Sequence, residues 1–224
     1  KKVDLAPWKK ITHSVLNNKN KVNIAIIGKY VELKDAYKSL DEALTHGGIA
    51  NNSKVNLVRI ESDYLKPKEV NNKLKGVAGI LIPGGFGKRG TEGKIAAISY
   101  ARKNNIPFLG ICFGMQMAVI EFARNKMNIK KATSSEFGPS QASVVGLMSE
   151  WVKDGKKMKG TDKDLGGTMR LGSYEARLKK GSLISTIYNS TKINERHRHR
   201  YEVNINFKED FEKKVWYFRD YLQI

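Results

Sequence analysis

The chain alternates between short apolar runs and amphipathic stretches, and that alternation predicts most of its first half. Residues 22–28 (VNIAIIG) form a nearly continuous apolar run, the pattern of a strand buried on both faces. Residues 36–46 (AYKSLDEALTH) repeat apolar side chains at helical spacing, and Gly47-Gly48 is the predicted stop. Residues 55–60 alternate apolar and polar positions and read as a more exposed strand. Further buried strands are predicted over 77–82 (VAGILI) and 106–111 (IPFLGI), with helices over 93–104 and 115–124. Strands alternating with helices imply an α/β architecture: a mostly parallel open sheet with helices on both faces. After residue 131 the pattern changes to shorter strands at 144–148, 167–171 and 198–203, joined by polar loops. Residues 1–20, with Trp8 and His13 in an otherwise polar stretch, read as a linker and short helix leading in from an upstream domain.

Two of these strands end in segments that carry chemistry. The run Gly110-Ile111-Cys112-Phe113-Gly114-Met115-Gln116 puts the only cysteine at a strand-to-helix turn with glycine two residues to either side. Such a G-x-nucleophile-x-G turn leaves its central side chain standing clear of the backbone. The helix that follows aims its free N–H groups and positive dipole end at the sulfur, which favours the attacking thiolate. The alternative is a small buried core cysteine, and local pattern weighs the two evenly. The strand over 77–82 breaks into Pro83-Gly84-Gly85-Phe86-Gly87-Lys88-Arg89-Gly90. A Gly-rich turn at a strand's carboxyl end exposes backbone N–H groups, as an oxyanion hole or a phosphate cradle would require. The G-x-x-x-x-G-K-[ST] spacing of a nucleotide P-loop is missing. In a parallel sheet both loops open onto one crevice, and a thiolate facing N–H donors is a layout for acyl transfer.

Composition narrows the class. With 224 residues, 40% of them hydrophobic, the chain can bury one full-sized core. No run reaches the roughly 18 apolar residues of a membrane span, and no secretory leader or zinc-ligand spacing is found. One cysteine excludes an internal disulfide framework. These features predict a cytoplasmic protein with no structural metal and no membrane association. The chain starts at Lys1, which reads as a piece of something longer. A formal net charge of +19 and a pI near 9.9 would suit nucleic acid. Yet the lysines are scattered in pairs, with one denser loop at Lys153, Lys156, Lys157 and Lys159, and no nucleic-acid recognition motif accompanies them. No nucleic-acid partner is expected.

Four segments resemble one family. They are Ile27-Gly28-Lys29-Tyr30 with Asp35-Ala36-Tyr37-Lys38-Ser39, the run from Gly110 to Gln116, Gly166-Gly167-Thr168-Met169-Arg170-Leu171-Gly172, and Glu195-Arg196-His197-Arg198-His199-Arg200-Tyr201-Glu202-Val203-Asn204. Together with the PGGFG loop they resemble class I glutamine amidotransferases with a cysteine nucleophile, and more narrowly the glutaminase domains of CTP synthases. The resemblance implies the flavodoxin-like class I amidotransferase fold over residues 21–206, after the lead-in of 1–20 and before a divergent tail of 207–224. It implies that Cys112 attacks the side-chain amide of L-glutamine while backbone N–H groups of Gly85 and Phe113 form the oxyanion hole. It also implies that Gly114, Met115, Gln116, Glu136 and Arg200 join Gly85 and Phe113 in contacting the substrate. A glutamine zwitterion needs an anion for its ammonium and a guanidinium for its carboxylate, which suits Glu136 and Arg200. By the same resemblance, ammonia passes to a synthetase domain that holds ATP, Mg and UTP. No cofactor belongs to the glutaminase domain, and the full-length enzyme is a homo-oligomer.

The bland readings stand beside these. Glu136 could be a surface carboxylate, the Arg/His run a solvated basic strand, and residues 166–172 a loop; the resemblance makes that loop a lid over the glutamine site. Strand alternation puts Arg196, Arg198 and Arg200 on one face and His197 and His199 on the other. One departure counts against activity. The family's base is a histidine oriented by a glutamate in a late His-Pro-Glu-Phe segment, and these 224 residues contain none; their last histidine is His199. Two expectations follow: a glutaminase that is weak or inactive by itself, or a catalytically dead pseudo-amidotransferase that only binds. An unrelated basic binding module is a third.

Overall fold

In the computed structural model, which describes residues 3–18, 20–147, 150–153, 156–159 and 169–214, the chain forms two compact units, Lys1–Met117 and Ala118–Ile224. The first is built on a four-stranded sheet. Helix α1 (Ala6–Asn17) precedes β1 (Lys21–Gly28); α2 (Lys38–Ala50) and β2 (Lys54–Glu61) follow, then α3 (Val70–Lys73), β3 (Gly79–Ile82), α4 (Thr91–Lys103), β4 (Phe108–Gly110) and α5 (Phe113–Asn125). The strand order is β2-β1-β3-β4, with all three ladders parallel. A 2-1-3-4 order is that of doubly wound sheets whose ligands sit at the strands' carboxyl ends.

Burial explains why the apolar runs became these strands. The second half of β1 and all of β3 are buried, with Ile26, Ile27 and Ile82 at 0% exposure. β2, at the edge, alternates between covered and open positions as its sequence predicts. β4 departs from expectation. The apolar run over 106–111 predicts a buried strand, but Leu109 is 53% and Ile111 40% exposed. Among the described residues β4 is the other edge strand, with a neighbour on one side only, so its apolar composition does not imply burial.

The predicted stop of α2 at Gly47-Gly48 is also corrected. The helix runs through both glycines to Ala50, and a 3-10 turn, Lys34–Tyr37, leads into it. Gly48 is buried, and a Cβ there would stand 2.5 Å from the carbonyl oxygen of Ser53 and 2.8 Å from Val55 Cγ2. Glycine is needed at 48 for contact with the start of β2, not to end the helix.

The second unit holds β5 (Thr133–Ser134), β6 (Ser143–Leu147), β7 (Glu150–Lys153), β8 (Lys156–Lys159), β9 (Arg170–Arg177), α6 (Leu183–Tyr188), β10 (Lys192–His199), β11 (Tyr201–Val203) and α7 (Lys208–Lys213). Its sheets are β11-β6-β5, β10-β9 and the hairpin β7-β8. The expected lysine-dense loop is that hairpin, with Lys153 on β7 and Lys156, Lys157 and Lys159 on β8. The boundary between the units falls inside α5, and Phe122 lies on its second-unit part; Phe211 of α7 is fully buried and stacks on it with ring centroids 5.9 Å apart, so the start of the expected tail belongs to this unit's core. The predicted strand over 167–171 begins at Arg170. Residues 166–168 of the expected lid and 215–224 of the tail lie outside the described residues. Among the described residues no helix is long and apolar enough to cross a membrane.

The paired glycines of α2 give a test. Nothing lies within 4 Å of a Cβ added at Gly47, so Gly47→Ala should stabilise by about 0.5–1 kcal/mol. Gly48→Ala should destabilise by about 1–3 kcal/mol through overpacking. Urea unfolding of both variants checks the opposite signs.

Candidate active site

The parallel pairing of β3 with β4 sets Ile82 opposite Gly110, so the segments leaving the two strands run side by side. Ile111 N–H donates to the Ile82 carbonyl at 2.9 Å, extending the ladder by one rung. The chain then turns sharply at Cys112, whose φ of +51° lies in the left-handed region. A side chain held there costs about 1–2 kcal/mol. The Cys112 carbonyl accepts the Gln116 N–H at 3.1 Å, starting α5 at the cysteine. Both flanking glycines are demanded by space. A Cβ on Gly114 would come 2.1 Å from the Ile82 carbonyl oxygen, and one on Gly110 would come 2.6 Å from Gly114 C and Met115 N.

The Gly-rich loop meets this turn as the sequence predicts. A Cβ built on Gly84 would lie 3.7 Å from Cys112 Cβ, and one on Gly85 would lie 3.9 Å from Phe113 Cδ1. Cys112 is half-buried, between a buried core and a reachable surface. Phe113, Gly114 and Gln116 are buried and Met115 is half-buried. Cys112, Gly85, Phe113, Gly114, Met115 and Gln116 are therefore one cluster.

Two lysines stand around Phe113, and sequence reasoning gave neither a role. Lys29 Nζ lies 5.8 Å and Lys94 Nζ 5.9 Å from the centroid of the Phe113 ring. Lys94 is 2% exposed and donates to Ser62 Oγ at 2.7 Å. Burial, above all, lowers its pKa to about 8; the charges of Lys29 and Arg89 push the same way, and Asp63 and Glu61 oppose. A signal was available, since Lys94 shares a helical face with the buried Ile98 and Ala101. Nearby, Arg89 pairs with Asp63 and lies 4.9 Å from the ring of Tyr30, itself at φ +58°.

Glu136 and Arg200 belong to the second unit. Glu136 follows β5 in a short 3-10 turn, where Ser134 Oγ accepts its N–H at 3.2 Å. Arg200 sits at the bend between β10 and β11. The expected alternation therefore holds only to His199: Arg196 and Arg198 are exposed, His197 and His199 half-buried, and the strand breaks before Arg200 can join the arginine face. The register Tyr201↔Leu147 and Ser134↔Val145 puts Glu136 and Arg200 at the same end of the sheet β11-β6-β5. Both act on the Tyr201 phenol, whose pKa burial raises first; the Glu136 charge adds to the rise and Arg200 opposes it.

Beside them is a buried polar cluster. Arg170 lies 3.2 Å from Glu202, and His199 Nδ1 lies 3.6 Å from the same carboxylate. His197 Nδ1 and His199 Nε2 are 2.7 Å apart, and Tyr174 meets His197 edge-on. Burial is the first cause of a lowered pKa in both histidines, with Arg170 adding to it, and the first cause of the raised pKa of Glu202. Among the described residues no group of three or more His, Cys, Asp and Glu could hold a metal ion.

The family model for glutamine amidotransferase class-I matches residues 32–220, and this chain belongs to that family. Within it the likeness is to CTP synthases. The chain is 72% identical over 214 residues to the CTP synthase of Pelagibacter ubique (strain HTCC1062), covering 96% of this chain and 40% of that protein. It is 56% identical to the CTP synthase of Zymomonas mobilis subsp. mobilis, covering 94% and 39%. It thus spans about two fifths of these relatives. Among solved structures, the glutaminase domain of Trypanosoma brucei CTPS with bound acivicin superposes with a TM-score of 0.74 at 38% identity. That likeness covers 86% of this chain and 72% of the other.

The buried lysine gives a pH test. Lys94 is charged at a cost below pH 8, and that cost disappears as pH rises from about 8 towards the ordinary lysine value near 10.5. The stability of the native protein relative to Lys94→Met should therefore climb across that interval and stay flat below it. Denaturant unfolding at a series of pH values reads the difference.

Proposed function

We propose that this chain is the glutaminase domain of a CTP synthase. It hydrolyses L-glutamine and delivers ammonia to a synthetase domain, where ATP, with Mg, drives the amination of UTP to CTP. The observation that carries the reading is Cys112, held at φ +51° at the head of α5 with Gly84 beside it and Gly85 beside Phe113. The Cys112 thiolate attacks the γ-amide carbon of glutamine. The resulting oxyanion is received by the N–H groups of Gly85 and Phe113, where one lost donor typically costs about 100- to 1,000-fold in rate. The amide nitrogen leaves as ammonia after taking up a proton, and water then cleaves the γ-glutamyl thioester. By the family resemblance, Glu136 and Arg200 are assigned to the substrate's ammonium and carboxylate, and Gln116, Gly114 and Met115 to further contacts with it. The placement of Glu136 and Arg200 at the same end of the sheet β11-β6-β5 supports their pairing around one zwitterion.

Proton transfer in this chemistry falls to a histidine–glutamate pair, and these 224 residues carry no His-Pro-Glu-Phe segment. General acid–base help is worth about 100- to 10,000-fold. The polypeptide of these residues alone should therefore release ammonia from glutamine slowly, and adding a family-like segment that ends in His-Pro-Glu-Phe should raise the rate by orders of magnitude. Cys112→Ser should abolish both rates, and Arg200→Ala should raise KM for glutamine more than it lowers kcat. A glutamine-like diazo ketone should label Cys112 faster than a plain haloacetamide does, after correction for intrinsic reactivity. Equal labelling would sink the glutamine-site reading and leave a pseudo-amidotransferase. Full activity without the added segment would instead make the half-buried His197 or His199 the base, to be told apart by His197→Ala and His199→Ala.

A further inference from the structure

The two N–H groups of the oxyanion hole come from different loops, Gly85 after β3 and Phe113 after β4. They are useful only while both aim at one point. One side chain touches both loops. Lys29 leaves β1, the strand beside β3, at the same carboxyl edge of the sheet. Its Nζ donates to the carbonyls of Phe86 at 2.7 Å and Gly87 at 3.3 Å, fixing the Gly-rich loop one and two residues beyond Gly85. The same ammonium lies 5.8 Å from the ring centroid of Phe113, a ring only 1% exposed. At that distance the charge is attracted to the ring face, and more strongly where water is excluded.

The base of this side chain is fixed as well. Lys29 N–H donates to Tyr37 Oη at 3.1 Å, and the Tyr37 hydroxyl donates in turn to the Lys29 carbonyl. A tyrosine from the turn before α2 thus pins the backbone from which the lysine reaches across to the loop. Lys94 is the second cation on the ring, at 5.9 Å. The depression of its pKa by the Lys29 charge places the two ammonium groups in one electrostatic neighbourhood.

We propose that Lys29 is a positioning residue of the oxyanion hole, tying the Gly-rich loop to the ring of Phe113 so that the Gly85 and Phe113 N–H groups stay on one point. The proposal rests on the reading of Cys112 as the acylated nucleophile. It separates two reactions of the same sulfur. Alkylation by iodoacetamide displaces iodide and builds no oxyanion. Acylation by a γ-thioester of glutamate passes through a tetrahedral oxyanion: the Cys112 sulfur bonds to the γ-carbon, the thiolate of the reagent leaves, and its release can be read by colour. A residue that merely helps the fold would slow both reactions alike, or neither.

The test compares the 224-residue chain with Lys29→Met and Lys29→Arg in both reactions, with melting followed in parallel. In Lys29→Met the maximal acylation rate should fall about 100-fold, of the order of one lost oxyanion donor. The thioester concentration for half-maximal rate and the iodoacetamide rate should stay within about twofold. Lys29→Arg keeps a cation for the ring and donors for the carbonyls, and should recover at least about tenfold of that loss. If Lys29→Met fails to fold, Lys29→Gln carries the same comparison. Unchanged acylation in a folded variant, or equal falls in both reactions, overturns the proposal. A native chain that iodoacetamide alkylates but the thioester does not acylate overturns the glutaminase reading and this proposal with it. The native chain therefore tests the parent reading, and the variants test Lys29.

Discussion

The approach of Gly114 to the carbonyl of Ile82 sets the geometry on which this site depends. Because no Cβ intervenes, α5 begins directly against the end of β3. The chain between β4 and α5 then has to reverse within two residues, and Cys112 is driven into the left-handed region. From that position follow the half-buried sulfur, the head of α5 at the cysteine, and the contact with Gly84. A larger residue at 114 would push the helix outward and release the turn, and Cys112 would no longer sit beside Gly84. Here packing between backbones creates the turn at Cys112, and the side chains are arranged around it.

Much of this was legible because the determining features are local. The glycine pair around Cys112, the PGGFG break and the alternation of strands and helices all lie within short windows, and the glycine pair answers a steric need. The misreadings have a common cause: they turned on neighbours distant in sequence. Gly48 looked like a helix stop, yet its reason is the backbone of Ser53. The run over 106–111 looked like a buried strand, and only the sheet order shows that it forms an edge. Alternation across 196–200 was right for four residues and failed at Arg200, where the chain changes from the β9–β10 ladder to the β6–β11 ladder.

The charged interior was the least legible part. Lys94 sits on an apolar helical face, and Arg170 meets Glu202 across 32 positions of sequence. Burying ionised groups is expensive unless they are paired, and a broken buried pair typically costs about 3–5 kcal/mol. The Arg170–Glu202 contact joins β9 to β11, strands of two different sheets of the second unit. With His197 and His199 beside it, this unit holds a polar core where composition alone would suggest surface charge. The net charge of +19 is a sum over the whole chain and says little about these few interior groups.

Among the described residues, six other than glycine adopt positive φ: Asn52, Asn105, Asn128 and Asn189, together with Tyr30 and Cys112. Asparagine tolerates that conformation better than most side chains, so four of the six positions carry a residue suited to their backbone. The two that do not are the cysteine at the turn and the tyrosine next to Lys29. Under drift with no chemistry to preserve, both would be expected to relax towards glycine or asparagine, because each such change would relieve strain at once. Left-handed backbone at residues unsuited to it is strain that only surrounding structure can hold in place. In this chain the uncomfortable residues stand at the carboxyl edge of one sheet, where a thiol and a cation would have to be held still.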